Sequence, residues 1–128
     1  MQKHCIYRGQ VRDVYAIEFG YATDFKTVLE RFATSLKKDV HHCLHLIGDS
    51  DPRRDGMNWS REFIHDTGAE VRGTEVLAMK HHQLRIPFIW ESNDVVILCM
   101  LRKKRPAYIR SEIEMFKNRL REYRQSRL

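Results

Sequence analysis

The residues of this chain that could do chemistry lie close together, between positions 80 and 110. They are two arginines, one tyrosine and an adjacent pair of histidines. Side chains of these types can accept a proton, donate a proton and stabilise negative charge that develops in a transition state. The candidate catalytic residues are Arg85, Arg102, Tyr108, His81 and His82.

Each of these residues also has a purely structural interpretation. Arg85 could be a solvent-facing strand residue, Tyr108 could pack its ring on a sheet, and the histidines could be exposed turn residues. For Tyr108 to act as a base, nearby cations would have to lower its pKa from the ordinary value of about 10. Arginine is a poor general acid because its pKa is so high, so a histidine suits that role better.

The positive charge of the chain is concentrated at its carboxyl end. Residues 102–128 contain ten Lys or Arg and three Asp or Glu, for a net charge of +7, whereas residues 1–101 carry −1. A patch of this kind suits a polyanion such as nucleic acid, or an acidic protein; a solvated helix face is the alternative. The candidate RNA-binding residues are Lys80, Lys103, Lys104, Arg105 and Arg110.

Two predicted strands and a helix position these residues. Leu84–Trp90 has the composition of a strand, although Pro87 predicts a bulge or an edge position. Val95–Leu101 is apolar throughout and predicts a strand buried on both faces, joined to the first by a turn at residues 92–94. Pro106 is expected at the first position of a helix. The apolar stripe predicted for that helix is Ile109, Ile113, Phe116, Leu120 and Tyr123.

The rest of the chain predicts a single α+β domain over residues 1–128. The fold is expected to be an N-terminal strand, a two-helix hairpin, a three-strand antiparallel meander and a C-terminal helix. The residues before Val11 suggest a loose leader, and Arg61–Glu70 is ambiguous. The other expected segments are a strand at Val11–Phe19, a helix from Thr23 or Asp24 to Phe32, a helix from near Ser35 to Gly48, a loop at Gly48–Ser60, a strand at Gly73–Met79 and a turn at Lys80–Gln83.

In this order of elements the chain resembles the RelE/ParE/HigB superfamily of toxins from bacterial toxin–antitoxin pairs. The resemblance spans Tyr15–Tyr123 and is close over Leu84–Tyr123. Leu84-Arg85-Ile86-Pro87-Phe88 is similar to a family strand with an arginine before alternating apolar residues. Arg102-Lys103-Lys104 stands where the family's core strand ends in a basic pair. Ser111-Glu112-Ile113-Glu114 is similar to the opening of the last helix in HigB-like members.

The resemblance implies a toxin that cuts mRNA on the ribosome, with catalytic residues at Arg85, Arg102 and Tyr108. It implies a cognate antitoxin, a small DNA-binding protein with an acidic or amphipathic segment, and neither a metal nor another cofactor. Three family features differ here. Arg105-Pro106-Ala107-Tyr108-Ile109 stands where HigB-like members have Thr-Gln-Lys-Thr-Pro, the usual histidine of the core strand is replaced by Cys99 or Met100, and second-strand lysines fall on apolar positions such as Ala78. A ParE-like gyrase inhibitor and a non-toxic binding module therefore stay as alternatives.

Cysteine usage and hydropathy indicate where the protein works. Three cysteines without paired spacing favour a reducing cytoplasm, and no apolar run approaches the length of a membrane span. His41, His42 and His45 invite a metal-site interpretation, because residues four apart share a helix face. No second group of ligands with suitable spacing accompanies them, so a solvated helix face is the preferred interpretation and no metal site is predicted.

Overall fold

The computed structural model of the protein describes residues 1–50 and 63–127. The strands are β1 (Gln2–Arg8), β2 (Asp13–Glu18), β3 (Ile64–Val71), β4 (Thr74–His81), β5 (Leu84–Glu91), β6 (Asp94–Ile97) and β7 (Leu101–Arg102). The helices are α1 (Phe25–Glu30), α2 (Thr34–Asp49) and α3 (Arg110–Gln125). Most of the loop expected at Gly48–Ser60 lies outside the described residues. None of the helices within the described ranges combines the length and the apolar character needed to cross a bilayer.

The strands form one seven-stranded sheet in the order β1-β2-β6-β5-β4-β3, with β7 paired to β5. β2 runs parallel to β6, and the other pairs are antiparallel. The α+β class, the first predicted strand and the two helices that follow it are thus confirmed. The three-strand meander is wrong, because the ambiguous stretch at Arg61–Glu70 contains most of β3 and lengthens the meander to four strands.

The expected loose leader is also wrong, because these residues form β1, the edge strand beside β2. Residues 2–5 of β1 are all exposed, so the strand lacks the alternation of buried and exposed residues by which a strand is usually recognised. β3 was ambiguous for a related reason. Its pairing with β4 shifts register between Asp66 and Ala69, which interrupts the period of two.

Helices cover both faces of the sheet. α1 and α2 pack on one face, where Phe25, Val40 and Ile47 meet Ile86 and Phe88 of β5. α3 packs on the other face through three fully buried side chains of the predicted stripe, Phe116, Leu120 and Tyr123. Successive residues of β5 therefore point alternately toward the α1–α2 side and the α3 side.

Pro87 lies in the middle of the sheet and not at its edge. The pairing of β5 with β6 ends at Phe88–Ile97, and its pairing with β7 begins at Arg85–Leu101. Residues 98–100 therefore stand opposite residues 86–87, three residues against two. This register shift is the predicted bulge. The carbonyl of Pro87 accepts from the amide of Leu98 on that side, so the missing N–H of the proline also faces the bulge. The predicted continuous strand Val95–Leu101 is split in two for this reason.

The last helix begins at Arg110, so the prediction that Pro106 opens it is wrong. Ile109 is the residue before the first turn, and its side chain is 56% exposed. The side chain of Glu112 fixes this start, because its Oε1 accepts from the backbone amide of Ile109 at 3.0 Å. Ile109 therefore leaves the apolar stripe. α2 also runs one residue past the predicted end at Gly48, to Asp49.

Candidate functional site

One set of polar side chains lies on the α3 side of the sheet, beside the residues that lead into α3. His65 of β3, Lys80 of β4 and Arg85 of β5 belong to three neighbouring strands, and Lys80 is paired directly with Arg85. Leu84 and Ile86 belong to the core under α1 and α2, so strand alternation turns Arg85 the other way. We call His65, Lys80, Arg85 and Tyr108 the α3-side cluster.

Tyr108 and His65 form the centre of this cluster. The hydroxyl of Tyr108 lies 2.9 Å from Nε2 of His65, a hydrogen bond, and the two rings are stacked with centroids 5.5 Å apart. Phe116 of α3 packs against the tyrosine ring edge-on at 5.4 Å. The tyrosine therefore packs its ring, as the structural interpretation proposed, and at the same time presents its hydroxyl to a titratable group.

Arg85 is a buried cation with no carboxylate partner among the described residues. The residue is only 4% exposed. Its Nη1 donates to the carbonyls of His82 at 2.6 Å and Leu84 at 2.9 Å, while its Nε is buried without a hydrogen-bond partner in residues 1–50 and 63–127. The solvent-facing interpretation of Arg85 is thus wrong. A buried charge without a counter-ion is costly, so this guanidinium is suited to an anion that the described residues do not supply.

Burial and charge separate the pKa values of Tyr108 and His65. Burial raises the pKa of Tyr108 well above its ordinary value, and the opposing effect of Arg85 is smaller. Burial also lowers the pKa of His65, and the positive charges of Arg85 and Lys80 lower it further. The condition for Tyr108 to act as a base, a pKa lowered by nearby cations, is therefore not met, because desolvation outweighs the cations. His65 is held neutral near pH 7 and is the better proton acceptor.

Lys103 is engaged with the protein itself. Its Nζ lies 2.5 Å from Oε1 of Glu112, and its side chain is only 8% exposed. The same ammonium group lies 5.2 Å above the ring of Tyr108. Lys103 therefore joins the start of α3 to Tyr108, which makes it a positioning residue and a poor candidate for direct contact with RNA.

This ion pair leads to a prediction about stability. We expect Lys103→Met to lower the free energy of unfolding by about 1 to 3 kcal/mol, because Glu112 loses its charged partner in a largely buried setting. The exposed neighbour is a matched control, and Lys104→Met should change stability by less than about 0.5 kcal/mol. Urea titration of both variants measures the difference. Equal stabilities would show that the ion pair contributes nothing.

The other cations of the predicted patch are exposed. Arg102 makes one long contact, from Nη2 to Oε1 of Gln83 at 3.5 Å. Lys104, Arg105 and Arg110 are exposed around the segment that enters α3. These four side chains are free to meet a polyanion, whereas Lys80 is half-buried beside Arg85.

The two predicted catalytic histidines lie apart from the α3-side cluster. His81 follows Lys80 in β4 and so points to the opposite face, where its Nε2 lies 3.4 Å from Oδ1 of Asp39 in α2. His82 is exposed in the β4–β5 turn with a positive φ of 54°, and its ring lies 4.4 Å from that of His81. The structure brings together Arg85, Tyr108 and Lys80, and places His81 with α2.

His65 is the residue that the sequence interpretation missed. It lies in the stretch whose structure was ambiguous, and no basic or apolar pattern surrounds it. One signal was present. The segment from Ile64 to Val71 has the length of a strand and an apolar residue at each end, and in the usual alternation His65 would share a face with Thr67. Its pairing with Tyr108 joins residues 43 positions apart, which local periodicity does not reveal.

The histidines of α2 contact other protein groups. His45 Nδ1 lies 2.8 Å from the hydroxyl of Tyr7 and 2.6 Å from Oδ2 of Asp49, and Tyr7 also donates to Asp49. His42 lies against His81, with ring centroids 5.3 Å apart. Within residues 1–50 and 63–127, no three His, Cys, Asp or Glu side chains are arranged to hold a metal ion.

Comparison of the chain with protein-family models, with curated proteins and with solved structures found no match. The resemblance to the RelE/ParE/HigB superfamily stays a prediction from the residues quoted above.

Proposed function

We propose that this protein is the toxin of a toxin–antitoxin pair and that it cuts mRNA on the ribosome without a metal, through the α3-side cluster. The observation that carries the proposal is the buried guanidinium of Arg85, which meets no carboxylate among the described residues and lies beside a hydrogen-bonded tyrosine–histidine pair. A cation without a carboxylate partner in the described part of the chain, next to a proton-accepting pair, suits a phosphodiester, which brings both negative charge and a hydroxyl proton.

In the proposed reaction, Tyr108 contacts the RNA and His65 accepts the proton. In the His65 tautomer that carries its proton on Nδ1, the hydroxyl of Tyr108 donates to Nε2 and takes the proton of the 2′-hydroxyl as its own passes to His65. The 2′-oxygen attacks phosphorus, the 5′-oxygen leaves with a proton from water, and a cyclic phosphate results. Arg85 stabilises the charge that develops on the phosphoryl oxygens. This replaces the earlier assignment of Tyr108 as a base acting alone.

The exposed cations are given a binding role in this proposal. Arg102, Lys104, Arg105 and Arg110 surround the entry to α3 and would hold phosphates of the mRNA or the ribosome. The acidic or amphipathic segment of the antitoxin would cover the same surface and so block it. His81 and His82 have no part in the proposed cleavage, because His81 lies on the α2 side of the sheet.

A second candidate function is a binding module of the same fold, including a ParE-like inhibitor of DNA gyrase. The observation that favours it is the burial of both central residues. Arg85 is 4% exposed, and burial raises the pKa of Tyr108. Both effects are typical of residues that support a structure, and a gyrase inhibitor needs no cleavage chemistry.

Expression in bacteria without a partner tests the proposal. We expect growth and translation to stop and mRNA to be cut within coding regions, as measured by primer extension on total RNA. Intact mRNA together with stalled replication and DNA breaks would favour the gyrase inhibitor. Normal growth with soluble protein present would overturn both toxin functions and leave the binding module.

A further inference from the structure

Five arginines line one open pocket toward the carboxyl end of α3, away from the α3-side cluster. The pocket has a volume of about 1010 Å³. The basic residues among its described lining are all arginines: Arg72, Arg119, Arg121, Arg124 and Arg127. We call it the arginine pocket.

The arginine pocket has a large excess of positive charge. Among the described residues of the lining Glu122 is the one acidic side chain, so these residues carry a net charge of +4. The carboxylate of Glu122 accepts from the hydroxyl of Tyr21 at 2.8 Å. Five guanidinium groups around one cavity repel each other, and an anionic ligand relieves that repulsion.

Several of these arginines are held in place by the fold. Nη1 of Arg124 donates to the carbonyl of Val71 at 3.1 Å, and its Nη2 bonds Thr74. Arg127 pairs with Glu91 at 2.5 Å. Arg119 has a buried Nε that finds no partner among the described residues. The pocket is therefore a preorganised set of donors, which lowers the entropy lost when a ligand binds.

An exposed aromatic ring lies among these arginines. Tyr21 is 42% exposed, and the guanidinium carbon of Arg119 lies 3.8 Å from the centre of its ring. Arginine planes and aromatic rings are the groups on which unpaired bases stack, and arginine binds phosphate in a bidentate manner. An acidic peptide would use the charge of this pocket but has no use for the ring.

We infer that the arginine pocket binds a single-stranded RNA segment, with the arginines on its phosphates and a base against Tyr21 and Arg119. The choice of RNA as ligand rests on the proposed function. The pocket is separate from the cleavage site. Tyr108 precedes the amino end of α3, whereas the α3 residues that line the pocket begin at Asn118. It would add affinity for the RNA without taking part in the cleavage reaction.

The test measures binding of a fluorescent single-stranded RNA by anisotropy over a range of salt concentrations. The test variant is Arg72→Glu with Arg121→Glu; both residues are exposed, and Arg121 donates to Asn118 of its own helix. We expect affinity to fall at least about tenfold. The plot of log K against log salt should become less steep by about 1.4, because two phosphate contacts are lost and each contributes about 0.7 for a single strand.

A matched control separates the pocket from net charge. Arg8→Glu with Arg31→Glu changes the charge by the same amount at two exposed arginines outside the pocket, and should leave the slope nearly unchanged. Equal losses in the two double variants would overturn the inference. If the Glu variant fails to fold, as judged by circular dichroism, Arg72→Gln with Arg121→Gln replaces it, with an expected slope change in the same direction.

Two further measurements fix the ligand class. Tyr21→Ala should weaken RNA binding at least about fivefold, as expected when one stacked base loses its platform. Polyglutamate should compete poorly at equal charge concentration. Unchanged binding in Tyr21→Ala together with equal competition by polyglutamate would overturn RNA in favour of an acidic protein.

These outcomes are independent of the cleavage proposal. The affinity and the salt slope are measured on free single-stranded RNA, so neither readout requires the protein to cut mRNA on ribosomes. Pocket-dependent binding with no cleavage on ribosomes would overturn the nuclease and keep this inference. Cleavage with no effect of the pocket variants on binding would do the reverse.

Discussion

Tyr108→Phe is expected to reduce the single-turnover rate of mRNA cleavage on saturated ribosomes by about 10² to 10⁴-fold, the usual range for a lost proton-transfer group. The substitution removes one oxygen. The ring keeps its stacking on His65 and its edge contact with Phe116, so the fold should survive. Ribosome binding should change little, because the exposed cations around the start of α3 are untouched.

His65 provides the companion variant and the pH dependence. His65→Gln should reduce the rate over the same range, since the glutamine cannot accept the proton. In the wild type, the pKa of His65 lies below the ordinary value of about 6.5, so the rate should be level above that pH and fall as pH drops through the lowered pKa. The free energy of unfolding should also fall as the pH drops. The unfolded chain takes up a proton on His65 more readily, so acidification favours unfolding.

His81→Gln is the control for this pair, because His81 lies on the opposite face of the sheet with Asp39. Its cleavage rate should match that of the wild type. Full activity in Tyr108→Phe would remove the tyrosine–histidine pair from the mechanism. A loss confined to His81→Gln would return the proton transfer to the β4–β5 turn.

The second large effect concerns Arg85, for which activity and stability should change in opposite directions. Arg85→Met should reduce the cleavage rate by about 10² to 10³-fold, because a positioned charge that stabilises the transition state is lost. The free energy of unfolding should stay the same or rise, because methionine has similar length and removes a buried charge that has no carboxylate partner in the described part of the chain. Measurement of the cleavage rate and urea titration on the same preparation check both expected results.

Arg12 is the matched control, since it is equally buried at 4% exposure. It joins three parts of the fold by donating to the carbonyls of Ile47 at 2.6 Å, Ser50 at 2.8 Å and Asn93 at 3.1 Å. Arg12→Met should therefore lower the free energy of unfolding by at least about 2 kcal/mol. If Arg85→Met were as destabilised as Arg12→Met and still cleaved mRNA normally at a permissive temperature, Arg85 would be a structural residue.

Sequence alone determined the elements whose side chains follow a regular period. Phe116, Leu120 and Tyr123 follow the helical repeat and are buried, and the alternation around Arg85 gave that residue its own side of β5. Pro87 predicted a bulge because it lacks an amide hydrogen, and the register shifts beside it. These properties depend on near neighbours in the chain, so local chemistry is sufficient to predict them.

Tertiary structure alone decided which of the candidate residues meet. β3 and its histidine come beside Arg85 through two antiparallel pairings, and Tyr108 reaches His65 from a segment 43 residues away. Glu112 binds Lys103 and so takes one cation out of the predicted patch. Local periodicity assigns a residue to one face of its own strand or helix, whereas the neighbour it contacts there depends on strand order, and strand order is set by the packing of the whole sheet.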